Sequence, residues 1–263
     1  MKTIILCGGK GTRLSEETEF KPKPLVEVGG YPILLHIMNI YAYHGHKDFI
    51  VALGYKGDMI KDYFLTLSRY EDDFEFDMKT GNVKMLSKTL KFDYNITFVE
   101  TGLDTQTAGR VLAASKYIPK DDKNFMVTYG DGVSTIDIGR LIEFHKYQEK
   151  KHNSLGTISA VHPSSQYGRL TYTNDELVAT FEEKKTIVDD YINGGFQIFN
   201  RKALDYMDPN EMLEVSLAKM TEDKKLALYR HAGYWKSMDT MKDYQELNSE
   251  WDKNRTWALW EKK

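Results

Sequence analysis

Two hydrophobic periods alternate along the chain. A β-type run, Lys2 to Leu6, comes first. From Pro32 to Tyr43 the apolar residues Ile33, Leu34, Ile37, Met38, Ile40 and Tyr41 recur at helical spacing, with Pro32 near the start and Gly45 past the end. Phe49 to Leu53 is a nearly continuous apolar run, which suits a strand covered on both faces. About Asp58 to Leu67 reads as a helix with Met59, Ile60, Tyr63, Phe64 and Leu67 on one side. Strand, helix, strand, helix predicts parallel pairing with right-handed crossovers.

Residues 70–95 break that rhythm, with short strands at Phe74 to Phe76 and Val83 to Leu86 around Thr80-Gly81-Asn82, an inserted hairpin. The pattern resumes with a strand at Ile96 to Val99, a helix from Thr107 to Tyr117 and a buried strand from Phe125 to Tyr129. A helix from Ile136 to Lys146 and a strand from Gly156 to Val161 follow. Arg169 to Glu183 alternates in two runs about Thr173 to Glu176, a second hairpin. A strand from Asn193 to Phe199, helices near 201–206 and 212–220, a strand from Leu226 to His231 and a helix from Thr240 to about Trp251 complete the pattern.

The 263 residues are enough for one domain with a full core, and 41% hydrophobic with 29% charged residues is ordinary for a soluble globular protein. A net charge of -3 argues against a general nucleic-acid or membrane binder, so any polyanion is bound locally. The lone Cys7 excludes intrachain disulfides, fits a reducing cytoplasm, and reads as a small buried residue behind the first loop. A strand that begins at Lys2 predicts no preceding signal peptide, and no apolar run reaches membrane-spanning length. The seven histidines show no zinc-type spacing, and the basic run from Lys146 to Lys151 reads as a solvated helix end. Trp251, Trp257 and Trp260 are too much aromatic surface for water, which predicts a tail packed on the body or on another subunit and favours a homo-oligomer.

Chemistry concentrates after the first strand, in Gly8-Gly9-Lys10-Gly11-Thr12-Arg13 followed by Lys21-Pro22-Lys23-Pro24-Leu25. Glycines remove side chains that would keep a polyanion away, so backbone N–H groups can face phosphate oxygens, and Arg13 and Lys23 add positive charge. The Walker pattern requires Lys-Ser/Thr where this chain has Thr12-Arg13, and Leu14 fills the sixth place of the dinucleotide fingerprint, so this cradle is neither. Asp131, between Gly130 and Gly132, ends a buried strand at the edge where open α/β sheets bind ligands. A carboxylate beside polyphosphate makes sense with Mg²⁺ between them. Asp239 precedes a helix, and from position alone a helix N-cap is the simpler reading. Glu183, Lys184, Asn193 and Gly194 supply donors and acceptors suited to sugar hydroxyls and a phosphate.

These segments occur in an order that resembles the sugar-1-phosphate nucleotidylyltransferases. They are the glycine loop with Lys21 to Leu25, Tyr129 to Gly132, Phe181 to Lys184, Asn193 to Phe196, and Trp235 to Thr240. Leu14 to Thr18, the hairpin before Ile96, Thr101-Gly102, Thr107 to Arg110 and the tryptophan-bearing tail resemble the cytidylyltransferases within that family. The resemblance spans the whole chain. It implies an α/β fold with a mixed, mostly parallel central sheet flanked by helices. One domain would cover residues 1–263, with a hairpin insertion at about 70–95, an acceptor-side hairpin at about 165–192, and a C-terminal helix and tail at about 240–263.

It further implies CTP, Mg²⁺ and a sugar 1-phosphate, glucose 1-phosphate foremost, reacting to a CDP-sugar and pyrophosphate in the supply of deoxysugars for surface polysaccharide. Leu6, Gly8, Gly9, Gly11 and Thr12 would hold the nucleotide with Gly130, Arg13 and Lys23 would hold its phosphates, and Arg110 would read the cytosine. Asp131 and Asp239 would hold the metal. Lys184 would neutralise the acceptor phosphate, and Tyr129, Glu183, Asn193 and Gly194 would hold the acceptor sugar. Three departures from the family pattern, at Glu183-Lys184-Lys185, Ser165 to Leu170 and Asn210 to Leu217, lie on the acceptor or subunit side. Another phosphorylated acceptor, and a non-catalytic nucleotide-binding subunit, therefore stay open as alternatives.

Overall fold

The computed structural model describes residues 1–87, 92–163, 169–182 and 190–261. The first half runs β1 (Thr3–Cys7), α1 (Ser15–Thr18), β2 (Glu27–Val28), β3 (Tyr31–Pro32), α2 (Ile33–Tyr43), β4 (Asp48–Leu53) and α3 (Gly57–Glu71). Next come β5 (Phe74–Asp77), β6 (Asn82–Met85), β7 (Asn95–Glu100), α4 (Thr107–Ser115), β8 (Asn124–Tyr129) and β9 (Gly132–Ser134). The second half holds α5 (Ile138–His152), β10 (Gly156–Val161), β11 (Arg169–Tyr172), β12 (Val178–Glu182) and β13 (Ile192–Asn200). It closes with α6 (Leu213–Glu222), β14 (Leu226–Arg230), β15 (Trp235–Ser237) and α7 (Met241–Lys253).

Seven strands form the central sheet in the order β14-β10-β13-β8-β1-β4-β7, and only β13 runs against its neighbours. The mixed, mostly parallel α/β architecture is thus as expected. Period-two geometry explains the continuous apolar strands. Ile5, Cys7, Val51 and Leu53 face the core under α2, while Ile4, Leu6, Ile50 and Ala52 face the core under α4 and α6. Each large aliphatic side chain so buried contributes roughly 1.5–3 kcal/mol. Register places Leu6 between Ala52 and Tyr129, so the segments that follow β1, β4 and β8 leave the sheet at one edge. Antiparallel β13 starts at that same edge, which brings Asn193 and Gly194 to it.

The hairpins fall where the pattern put them, β5 with β6 and β11 with β12. The pattern did not reveal the ribbon of β9 and β15, whose register sets Gly132 opposite Ser237 and Val133 opposite Lys236. Strands of three residues are too short to show a period.

The tail packs on its own chain. Trp251 and Trp257 are buried, and Trp257 stacks on Tyr234 at 5.7 Å. Buried His36 accepts from Trp257 Nε1 through Nδ1 (3.3 Å) and donates from Nε2 to the Val28 carbonyl (2.8 Å), which fixes one neutral tautomer. The tail thus packs on the body, one of the two surfaces expected for it, and these two tryptophans give no argument for a subunit contact. Each hairpin carries a group of exposed apolar side chains: Phe74, Phe76 and Met78 on one, Leu177, Val178 and Phe181 on the other. Among the described residues no helix is long and apolar enough to cross a membrane.

Candidate functional site: two cavities at the strand ends

The loop after β1 turns through a single 3₁₀ turn, Thr12–Leu14, into α1. Opposite it, Pro22 is extended and leads into a second 3₁₀ turn, Lys23–Leu25, closed by Leu25 N–H to the Pro22 carbonyl (2.8 Å) and Val26 N–H to the Lys23 carbonyl (3.0 Å). Two prolines fix φ on either side of Lys23, so the backbone that carries the ammonium is set before any ligand arrives. Leu6, Gly8, Gly9, Gly11 and Thr12 line a cavity of about 340 Å³, joined by Arg13, Lys23, Arg110 and Gly130. The predicted nucleotide residues are thus gathered in one space of ligand size.

A second cavity, of about 220 Å³, is lined by Asn193, Gly194, Trp235 and Asp239. Arg13, Tyr129 and Asp131 line both cavities, so the two adjoin at those three side chains. Asn193 Oδ1 accepts from Gly195 N–H at 2.9 Å, and Trp235 Nε1 donates to the Gly194 carbonyl at 2.7 Å. The first contact is local to β13, and the second holds the start of β13 against the ribbon. Cys7 is buried behind the loop as predicted, and burial pushes its thiol far above the ordinary range.

Charges converge where the cavities meet. Lys23 Nζ lies 2.6 Å from Asp131 Oδ2 and 2.9 Å from Asp239 Oδ1, and Arg13 Nη2 lies 2.9 Å from the same Asp239 oxygen. Burial alone would lower the Lys23 pKa, but the Asp131 carboxylate, and after it Asp239, outweigh burial and raise it. Burial would likewise raise Asp239, yet its bonds to Lys23, with Ser237 and Arg13 behind them, hold it below the ordinary carboxylate range. The β9–β15 ribbon sets this spacing, and Met238 N–H donates to the Asp131 carbonyl at 2.9 Å. Two hard carboxylate oxygens that converge on one cation form a donor set suited to Mg²⁺ completed by phosphate oxygens.

Asp239 does not cap the helix that follows it. Thr240 is the N-cap of α7, and Thr240 with Asp243 makes a reciprocal capping box. The positional reading of Asp239 is replaced by its pairing with Lys23 and Arg13.

Arg110 lines the first cavity, but its terminal nitrogens are committed to the protein. Nη1 lies 3.0 Å from the Leu53 carbonyl, 2.9 Å from the Gly102 carbonyl and 2.5 Å from Thr101 Oγ1, while Nη2 donates to the carbonyls of Gly8 (3.2 Å) and Leu103 (3.1 Å). The guanidinium braces the loops after β1, β4 and β7. Its approach also accounts for two glycines, since a Cβ at Gly8 or Gly54 would meet Arg110 Nη1 at 2.1 or 2.4 Å. In this arrangement Arg110 shapes the cavity floor, and its Nη groups are not free to read a base.

Sequence reasoning missed Glu214, which accepts from the Tyr129 hydroxyl at 2.6 Å and fixes the ring shared by both cavities. It also missed Trp235 and Ser237, although both lie in a segment singled out for Asp239. Alternation through 235, 237 and 239 was the available signal. Thr105 and Gln106 complete the first cavity without having been marked in advance. Glu183 and Lys184, expected to serve the acceptor, lie outside the described residues.

The nucleotidyl transferase family model matches residues 2–254. The chain is 44% identical to a Bacillus subtilis (strain 168) protein named "Probable glucose-1-phosphate cytidylyltransferase", over 99% of this chain and 100% of that one. It is 40% identical to the glucose-1-phosphate cytidylyltransferase of Salmonella typhimurium over the same shares. Among solved structures, HddC from Yersinia pseudotuberculosis superposes with a TM-score of 0.66 at 24% identity, covering 95% of this chain and 99% of that one, a likeness of fold.

Proposed function

This chain belongs to the nucleotidyl transferase family, and on that footing we propose that it transfers the CMP moiety of CTP to glucose 1-phosphate, giving CDP-glucose and pyrophosphate. The observation that carries the reading is the junction: a nucleotide-sized cavity and a smaller one meet at Arg13, Tyr129 and Asp131, where a phosphate from each side would face the other. Full-length identity to cytidylyltransferases supports cytidine as the base and glucose 1-phosphate as the acceptor.

The residue types fit the chemistry. A sugar phosphate is already ionised at neutral pH, so its oxygen can attack the CTP α-phosphorus in line without a general base. The barrier lies in bringing two anions together and in the charge that grows on departing pyrophosphate. Arg13 and Lys23 stand where they can neutralise the triphosphate, and the proline-flanked backbone of Lys23 makes its positioning part of the folded state. Asn193 offers its side-chain amide to sugar hydroxyls, and Gly194, whose carbonyl is held by Trp235, lines the same cavity without a side chain in the way. By family correspondence, Lys184 meets the acceptor phosphate and Glu183 a hydroxyl. Asp131 and Asp239 would hold Mg²⁺, which when bound supplies positive charge to the phosphate oxygens. Assembly as a homo-oligomer, a cytoplasmic setting and a role in polysaccharide precursor supply belong to the same proposal. The apolar side chains exposed on the two hairpins support the first of these.

The test is pyrophosphate release with CTP, UTP, GTP and dTTP against a panel of sugar 1-phosphates in the presence of Mg²⁺. Fastest turnover is expected with CTP and glucose 1-phosphate. Turnover only with another sugar phosphate would reassign the acceptor, and none with CTP and any acceptor would sink the enzymatic reading.

A further inference from the structure

We propose that the Lys23 ammonium is the resident occupant of the cation position between Asp131 and Asp239, so that a divalent metal enters only when a triphosphate draws Lys23 away. The inference rests on the reading of those two carboxylates as metal ligands. Its own support is geometric. One nitrogen is within hydrogen-bond distance of an oxygen from each carboxylate, 2.6 Å and 2.9 Å, so it occupies the point toward which both ligands are aimed. The side chain is 11% exposed, whereas Arg13 is 74% exposed and touches only Asp239 in this set. Lys23 is therefore the inner cation.

Charge balance argues the same way. Asp131 and Asp239 carry two negative charges, and Lys23 and Arg13 supply two positive ones. A divalent ion added to the nucleotide-free protein would crowd two cations at close range and share carboxylate oxygens already engaged. A triphosphate changes that balance. Lys23 also lines the nucleotide cavity, and its four-carbon stem lets the ammonium swing while the 3₁₀ turn of Lys23–Leu25 stays fixed. The ammonium exchanges carboxylate partners for phosphate oxygens and leaves both carboxylates open to the metal. The site is kept neutral and closed without nucleotide, and metal and nucleotide binding become coupled.

The experiment follows Mn²⁺, used in place of Mg²⁺, by the electron paramagnetic resonance signal of the free ion, with circular dichroism to confirm folding. Without nucleotide, Lys23→Gln is expected to bind Mn²⁺ at least tenfold more tightly than wild type. Lys23→Arg, which keeps a cation in place, should stay as weak as wild type. The Lys23→Gln, Asp131→Asn double variant should lose the gained site. Lys23→Met serves if Lys23→Gln does not fold. Equal Mn²⁺ affinity in wild type and Lys23→Gln would overturn the proposal while leaving the metal assignment standing. The metal assignment has its own readout in the complex with Mn²⁺ and the α,β-methylene analogue of CTP. An unchanged line shape there on Asp131→Asn would overturn that assignment, and the proposal with it.

Discussion

On the floor of the nucleotide cavity, Arg110 donates to four backbone carbonyls; at the rim, Lys23 and Arg13 face two carboxylates. Both regions are cationic and both line the same space, yet their partners differ in kind. Backbone carbonyls of three loops cannot leave without unfolding those loops, so the floor is a fixed surface. Carboxylate partners can be traded for phosphate oxygens, so the rim can respond to a ligand. A count of basic residues near a phosphate site therefore overstates how many act on the phosphate.

The contrast can be broken most sharply at Asp131. Asp131→Asn should lower turnover by roughly a hundredfold or more while the melting temperature moves little, checked by pyrophosphate release beside a thermal melt. Near wild-type turnover would take the rim out of the chemistry. Arg110→Met should do the reverse in proportion. It strips donors from the carbonyls of Gly8, Leu53, Gly102 and Leu103, and urea unfolding should show a loss of about 2–4 kcal/mol. A rise in KM for CTP with unchanged stability would move Arg110 from floor to rim.

Acid sharpens the comparison further. The raised Lys23 pKa makes its pairing stable up to and beyond the ordinary lysine value of 10.5. The depressed Asp239 pKa makes its contribution fade only as pH falls below the ordinary 3.8. The rim should hold through neutral pH. His36 behaves differently: burial lowers its pKa to about 4 from 6.5, so between those values the unfolded chain takes up a proton that the folded chain refuses. Stability should decline as pH drops from 6.5 toward 4, with tryptophan fluorescence reporting the loosened tail, and His36→Gln should remove part of that decline, since buried His145, also lowered to about 4, titrates in the same window. A pH-independent melt in the wild type would contradict it. The smallest effect belongs to Glu214→Gln, which keeps a hydrogen bond to Tyr129 but weakens it. The KM for the sugar phosphate should rise by about two- to fivefold with kcat nearly unchanged.

Much of this was legible before any coordinates. Buried strands showed as apolar runs because the sheet is covered on both faces, and the glycine loop, Lys23 and Asp131 showed because phosphate chemistry narrows the residue types that serve it. The remainder depended on contacts between distant segments. Nothing local ties Glu214 to Tyr129, and nothing in Thr107 to Arg110 says where the guanidinium ends. The tryptophan tail illustrates the same limit, since composition required its burial but could not say against which surface. Asp239 is the reverse case: its position before a helix pointed to a cap, and family order pointed to the rim.

That last assignment has a consequence for how the region tolerates change. Thr240 and Asp243 secure the start of α7, so the adjacent residue carries no duty to the helix. Substitutions at 239 should yield well-folded, soluble, inert protein, whereas substitutions at 240 should yield active but heat-sensitive protein. Neighbouring positions thus answer to separate pressures, and a lineage could retune or silence the chemistry here without first having to rescue the scaffold.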